Sequence, residues 1–371
     1  MSRFFDLVSK PAREMGSYVP NPRARRASAV PKRLLKLDSN ESPFGPSPRA
    51  LEAMRGALAS AHLYPDDDGT ELRSKLASFN SMPLEQVLVT AGSTAMLSLL
   101  CQTMLGPGLN AVTSACSFIV YSMAVHAAGA QLIETPARND GYDLAAILNA
   151  INEHTRIIFI ANPNNPTGSM IDADAVDNFI AEVPGHVVVV LDEAYYEFAE
   201  RFAAQRKVEY SRSLNYLRQG ASVVVLRTFS KAHGLAGLRV GYGMGPAELM
   251  VYCARMRNTY SISSLAQAAA VAALDDSKFI ERVVSSNAAQ ARVLGVGLSE
   301  LGYRVVPTAA NFLCCDVGED AADFAGRLRG EGVSVRALGV WGAPTSVRVS
   351  IGTPEQNQFF LNAVRKIGAK Q

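Results

Sequence analysis

The residues best placed to do chemistry lie in the run Leu226-Arg-Thr-Phe-Ser-Lys-Ala-His-Gly-Leu-Ala-Gly-Leu-Arg-Val-Gly-Tyr242. The β-prone stretch Ala221 to Leu226 delivers Ser230 and Lys231 to a turn, and Arg239 follows two glycines. A lysine on a short turn after a buried strand must be desolvated or paired. Desolvation lowers its pKa and makes it a nucleophile toward carbonyl compounds. The Ser230 hydroxyl and the Arg239 guanidinium are groups that hold a phosphate. A bare Ser-Lys pair is common, so the assignment depends on what else the chain brings to the same place.

Three further motifs sit after apolar strands. Gln86-Val-Leu-Val-Thr leads into Ala91-Gly-Ser-Thr, which opens a helix, so Gly92 and Ser93 form an anion cradle of N–H groups and hydroxyls. Thr155-Arg-Ile-Ile-Phe-Ile-Ala161 ends in Asn162-Pro-Asn-Asn-Pro-Thr-Gly168, a rigid turn carrying Asn165. His186-Val-Val-Val-Val-Leu191 ends in Asp192-Glu-Ala-Tyr195. Apolar, β-branched runs, each followed by a polar motif and a helical connection, specify an α/β fold with a mostly parallel, doubly wound sheet. Ligands of such sheets bind at the carboxyl ends of the strands. Gly241-Tyr-Gly-Met-Gly245 has G-x-G-x-G spacing, opens no helix, and reads as strand and turn rather than a dinucleotide fingerprint.

Taken together, these edge groups suit pyridoxal phosphate. Lys231 is the candidate imine former, and Asp192 can pair with a protonated pyridine nitrogen and keep the ring an electron sink. Asn165 and Tyr195 can hydrogen-bond the ring's phenolate oxygen. Gly92, Ser93, Ser230 and Arg239 can hold the phosphate, and Phe118 can stack on the ring. Arg348, on a strand of the C-terminal part, can pair bidentately with an anionic substrate group.

Composition bounds the alternatives. The chain has 371 residues, 48% hydrophobic and 19% charged, with a net charge of +2. No strong field favours nucleic acid or membrane, and no apolar run reaches the length of a spanning helix. Five scattered cysteines without a C-x-x-C pair read as reduced thiols in a cytoplasmic protein. Five separated histidines carry no metal-binding spacing, so no metal is expected. The adjacent Asp66-Asp-Asp68 are not spaced as a calcium loop and read as a turn before a helix. The pattern divides into an N-terminal arm and site loop (1–45), a large domain (46–250), and an interdomain helix with a smaller α+β domain (251–371).

The order of motifs resembles the fold-type I PLP-dependent aminotransferases of class I/II, and within them the histidinol-phosphate branch. Leu37-Asp-Ser-Asn-Glu-Ser-Pro-Phe-Gly-Pro-Ser-Pro48, His62-Leu-Tyr-Pro-Asp66, Asn162 to Gly168, Asp192 to Phe198, Arg227 to Tyr242, Ser264-Leu-Ala-Gln267 and Val347 to Thr353 carry the resemblance along nearly the whole chain. It implies that Lys231, Asp192 and Tyr195 are catalytic. It also implies a homodimer with shared active sites, in which Tyr64 reaches the phosphate of the other subunit. Arg348 would bind the substrate's anionic end, with Arg336, Tyr18, Asn40 and Tyr260 as further substrate residues. The implied reaction is ping-pong transamination between an amino donor, histidinol phosphate, and 2-oxoglutarate. An aromatic amino acid aminotransferase shares these motifs, and a non-catalytic protein on the same fold is opposed by the intact Lys231, Asp192, Tyr195 and Arg239. Thr94, Ala115-Cys-Ser117, Tyr18-Val-Pro-Asn21 and Thr259 depart from the family pattern, all near the substrate pocket.

Overall fold

The computed structural model describes residues 5, 7–14 and 34–368. Tyr18 lies outside the described residues. Strands β1 (Val87–Thr90), β2 (Asn110–Ser114), β3 (Gln131–Thr135), β4 (Thr155–Ala161), β5 (Val188–Asp192), β6 (Val223–Thr228) and β7 (Gly241–Met244) form one seven-stranded sheet in the order β1-β7-β6-β5-β4-β2-β3. The pairs from β6 across to β3 are parallel, as the apolar runs require. Only β7 runs antiparallel to both neighbours. The Gly-Tyr-Gly-Met stretch is thus a strand, as expected, and its reversed direction is what a short return from the Lys231 turn produces.

Both faces of this sheet are covered. Along β4, Ile158 and Ile160 join the core beneath the helices Thr70–Asn80, Ala173–Glu182 and Ser264–Leu274. Ile157 and Phe159 face the opposite core, with Leu97 and Leu100 of helix Ser93–Met104 and Tyr121 of helix Val120–Ala127. That two-residue alternation is why the strand is apolar throughout. All the polar motifs therefore emerge at the carboxyl ends of β1, β4, β5 and β6.

A second, antiparallel sheet is built from β8 (Arg304–Val306), β9 (Phe312–Asp316), β10 (Arg336–Ala337) and β11 (Ser346–Ser350), in the order β8-β9-β11-β10. Helices Ala321–Gly330, Pro354–Ile367 and the long Ser277–Glu300 pack around a core of Leu294, Phe324, Leu328, Val349 and Phe360. Leu35–Lys36 pairs in parallel with Val333–Ser334, and Leu37 is buried in this same core. The site loop that follows, from Asp38, is thereby anchored to the smaller sheet.

The two sheets meet at the Asn162-to-Gly168 turn. Gly168 has φ +83°, its carbonyl accepts from Ala309 N at 2.9 Å, and a Cβ there would lie 2.3 Å from Thr308 Oγ1. Gly168→Ala combines left-handed strain with that clash and is expected to destabilise the apo-protein by roughly 2 kcal/mol. A lowered thermal midpoint of the apo-protein checks this; an unchanged midpoint would show that Thr308 gives way freely. Nearby, Arg304 of β8 makes a bidentate ion pair with Asp140 at 2.8 and 3.0 Å, a second tie between the two sheets.

Candidate active site

Between the strand ends and the smaller sheet lies a cavity of about 350 Å³. Lys231, Asp192, Tyr195, Asn165, Phe118, Ser93, Ser230, Arg239, Arg336, Arg348 and Asn40 all line it, although many of them are far apart in the sequence. The doubly wound topology explains this, because successive strand ends lie side by side. Gly92 sits at the same place, at the N-terminus of helix Ser93–Met104.

Lys231 Nζ is held against the carbonyls of Ser39 (3.4 Å) and Asn40 (3.2 Å). Burial, assisted by the nearby Arg348 charge, pulls its pKa down to about 7. Asp192 ends β5 beside Ala161 of β4. Its Oδ1 accepts from Ala194 N at 3.2 Å and its Oδ2 from the Tyr121 hydroxyl at 3.1 Å. Burial pushes this carboxyl up to about 6, against the lowering hydrogen bond from Tyr121. A protonated nitrogen opposite it would oppose that rise by favouring the carboxylate.

The phosphate-type cup has its own geometry. Arg239 is in the left-handed region at φ +54°, with Nη1 3.4 Å from Ser230 Oγ and 3.1 Å from Ala236 O. Ser230 N donates to Thr228 Oγ1 at 3.1 Å, which fixes the turn. Gly92 has φ +83°, and a Cβ on it would sit 2.5 Å from Arg239 Nη2. Only glycine lets the guanidinium lie over this helix N-terminus. Hydroxyls, a guanidinium and a helix end around one hollow, with a buried carboxylate and the Phe118 ring nearby, fit pyridoxal phosphate.

The substrate side is basic. Arg336 and Arg348 are register partners on β10 and β11, and both are buried. Arg348 donates to Asn165 Oδ1 at 2.6 Å and to Asp38 O at 2.9 Å, and Arg336 Nε donates to Asp38 O at 3.2 Å. Tyr64 and Tyr260 are not in the cavity. They stack on each other on the surface with ring centroids 4.6 Å apart, and Tyr64 is 82% exposed. Sequence reasoning missed Tyr121, Ile119, Met123 and Trp341, which touch Asp192 or line the cavity. Nothing distinguishes them in sequence from ordinary core residues.

Known proteins share this fold. Residues 32–364 match the model of the family described as aminotransferase class I and II. The chain belongs to that family. It is thus an aminotransferase of α/β architecture. A histidinol-phosphate aminotransferase of Pseudomonas fluorescens is 43% identical over 372 residues, covering 99% of each chain. One from Pseudomonas aeruginosa is likewise 43% identical, over 99% of each chain. The crystal structure of histidinol-phosphate aminotransferase from Sinorhizobium meliloti in complex with pyridoxal-5'-phosphate superimposes with a TM-score of 0.88 at 27% identity, covering 99% of this chain and 98% of that one. No described helix is long and apolar enough to cross a membrane, and the described residues hold no metal-binding cluster of His, Cys, Asp or Glu.

Proposed function

We propose that this aminotransferase uses pyridoxal 5'-phosphate to take the amino group of histidinol phosphate and pass it to 2-oxoglutarate. The observation that carries the substrate is the 43% identity, over 99% of both chains, to proteins named for that reaction. Two buried arginines facing a cavity that already has a separate phosphate cup support it. When bound, the cofactor supplies an electron sink for the charge that develops at the donor's α-carbon. Lys231 would hold the cofactor through its amine. Once released, its Nζ takes the proton from the donor's α-carbon and returns it to the cofactor side. Asp192 would pair with the ring nitrogen, Tyr195 and the Asn165 amide would bond the ring oxygen, and Gly92, Ser93, Ser230 and Arg239 would hold the phosphate. Arg348, with Arg336, orients the substrate's anionic end. We read the chain as a large and a small domain built around the two sheets, and two chains as a homodimer in which the exposed Tyr64 reaches the other copy's cup.

The test is a half-reaction on purified holoenzyme, offered histidinol phosphate or phenylalanine separately while the cofactor's visible band is followed. Bleaching at low donor concentration with histidinol phosphate alone is expected. Preference for phenylalanine would overturn the donor assignment and leave the mechanism standing, and absence of any band would overturn the cofactor.

A further inference from the structure

Asn40 is 1% exposed, and its polar groups are engaged by the protein on every side. Its backbone N–H donates to Ser350 Oγ at 2.8 Å, and its carbonyl accepts from Lys231 Nζ at 3.2 Å and from Asn311 Nδ2 at 3.0 Å. Its Oδ1 accepts from Ser350 Oγ at 3.3 Å, and its Nδ2 donates to Tyr195 Oη at 2.9 Å. The backbone is held at φ +56°, a region that asparagine tolerates better than most residues. Asn40 also lines the cavity, where a substrate contact is expected of it, and the bonds of its amide to two protein hydroxyls point to a second role.

We infer that Asn40 is a positioning residue that sets the direction in which the Tyr195 hydroxyl donates its proton. Ser350 Oγ receives the Asn40 backbone N–H and donates its own hydrogen to Asn40 Oδ1. That fixes the amide with its NH2 side toward Tyr195. Tyr195 Oη thus accepts from Asn40, and its single hydrogen is left for the cavity that Tyr195 lines. The reversed amide would instead draw that hydrogen away from the cavity. The brace runs from β11 of the smaller sheet, through the site loop, to the end of β5. The direction of one O–H is therefore set by a strand of the other sheet.

The inference rests on the pyridoxal phosphate reading. A hydrogen bond to an ionised ring oxygen favours the ionised form, so Tyr195 lowers the pH at which the bound cofactor's visible band titrates. Asn40→Gly removes the amide while keeping the carbonyl and the positive φ without strain. It is expected to raise the midpoint of that band by about one pH unit. Ser350→Ala leaves Asn40 in place but frees its amide to turn, and is expected to shift the midpoint in the same direction. In a Tyr195→Phe background, neither change should move the midpoint further, because interacting sites are non-additive. An Asn40→Gly shift of equal size in the Tyr195→Phe background, or no shift from either variant while the band is intact, overturns the inference alone. A wild-type protein that shows no band on adding the cofactor overturns the reading and the inference together. If Asn40→Gly fails to take up cofactor, Ser350→Ala, with and without Tyr195→Phe, decides the matter.

Discussion

Lys231→Ala is expected to reduce turnover at least about 10⁴-fold, since it removes both the nucleophile and the group that moves the α-proton. It should also remove the covalent cofactor band, so that any cofactor retained dialyses away. The reason lies in where the side chain sits. Burial and the positive Arg348 hold its pKa at about 7, against 10.5 for a free lysine. At pH 8 most of the amine is then neutral, whereas a surface lysine would be neutral in about one molecule in three hundred. The sign follows directly. Reconstitution of the apoenzyme should accelerate as pH rises toward 7 and then level off, and the plateau should lie well below pH 10. A rate still climbing steeply at pH 9 would show that Lys231 keeps an ordinary pKa. Between about pH 7 and 10.5 the folded chain binds fewer protons at this lysine than the unfolded chain does. This group's penalty on apo-stability is therefore full below 7 and fades as pH rises through that window.

Much of this site was legible without coordinates, and for a definite physical reason. Asp192, Asn165, Ser93 and Lys231 each follow a run of apolar, β-branched residues, and a parallel sheet places the ends of such runs along one edge. Strand Thr155–Ala161 matches the expected range, because the Asn-Pro turn that follows it marks its end. What the sequence withholds are contacts that no spacing encodes. Tyr121 reaches Asp192 from a helix on the far side of β4, where its ring stacks on Phe159 at 4.7 Å and reads as core. The antiparallel sense of β7 follows from its return beside β6 without a crossover helix, a pairing that no residue spacing encodes. The commitment of Asn40 to Tyr195 joins residues 155 positions apart, and only the packing of the smaller sheet reveals it. Tyr64 and Tyr260 stack on each other at the surface, a contact that their separation in sequence does not encode.

Arg227→Met is expected to lower folding stability by about 3–5 kcal/mol, because it breaks a buried ion pair from one side only. Arg227 lies on β6 and Glu193 directly follows Asp192, and both side chains are almost wholly buried. Arg227 Nε and Nη2 donate to Glu193 Oε2 at 3.0 and 2.8 Å, and Nη1 donates to Asn80 Oδ1 at 3.1 Å. Glu193 Oε1 accepts from Ser211 Oγ at 2.5 Å, and the centre of the Tyr196 ring lies 3.5 Å from the guanidinium carbon. Burial works against the Arg227 charge, and the Glu193 carboxylate more than offsets it, so its pKa is raised. Removing the cation strands a carboxylate in the interior, where the lost Coulomb partner matters more than the lost packing. Arg227→Met combined with Glu193→Leu removes both charges and should recover most of the stability, because a buried pair is worth little against apolar residues of similar size. Denaturant midpoints of the apo-forms measure both effects. A double variant no better than Arg227→Met would place the energy in packing and in the bonds to Asn80 and Ser211. Because this pair ties the end of β5, which carries Asp192, to the strand leading to Lys231, the double variant should still lose activity even where stability returns. That separation of stability from turnover would identify the pair as the device that keeps the carboxylate and the amine in register across the site.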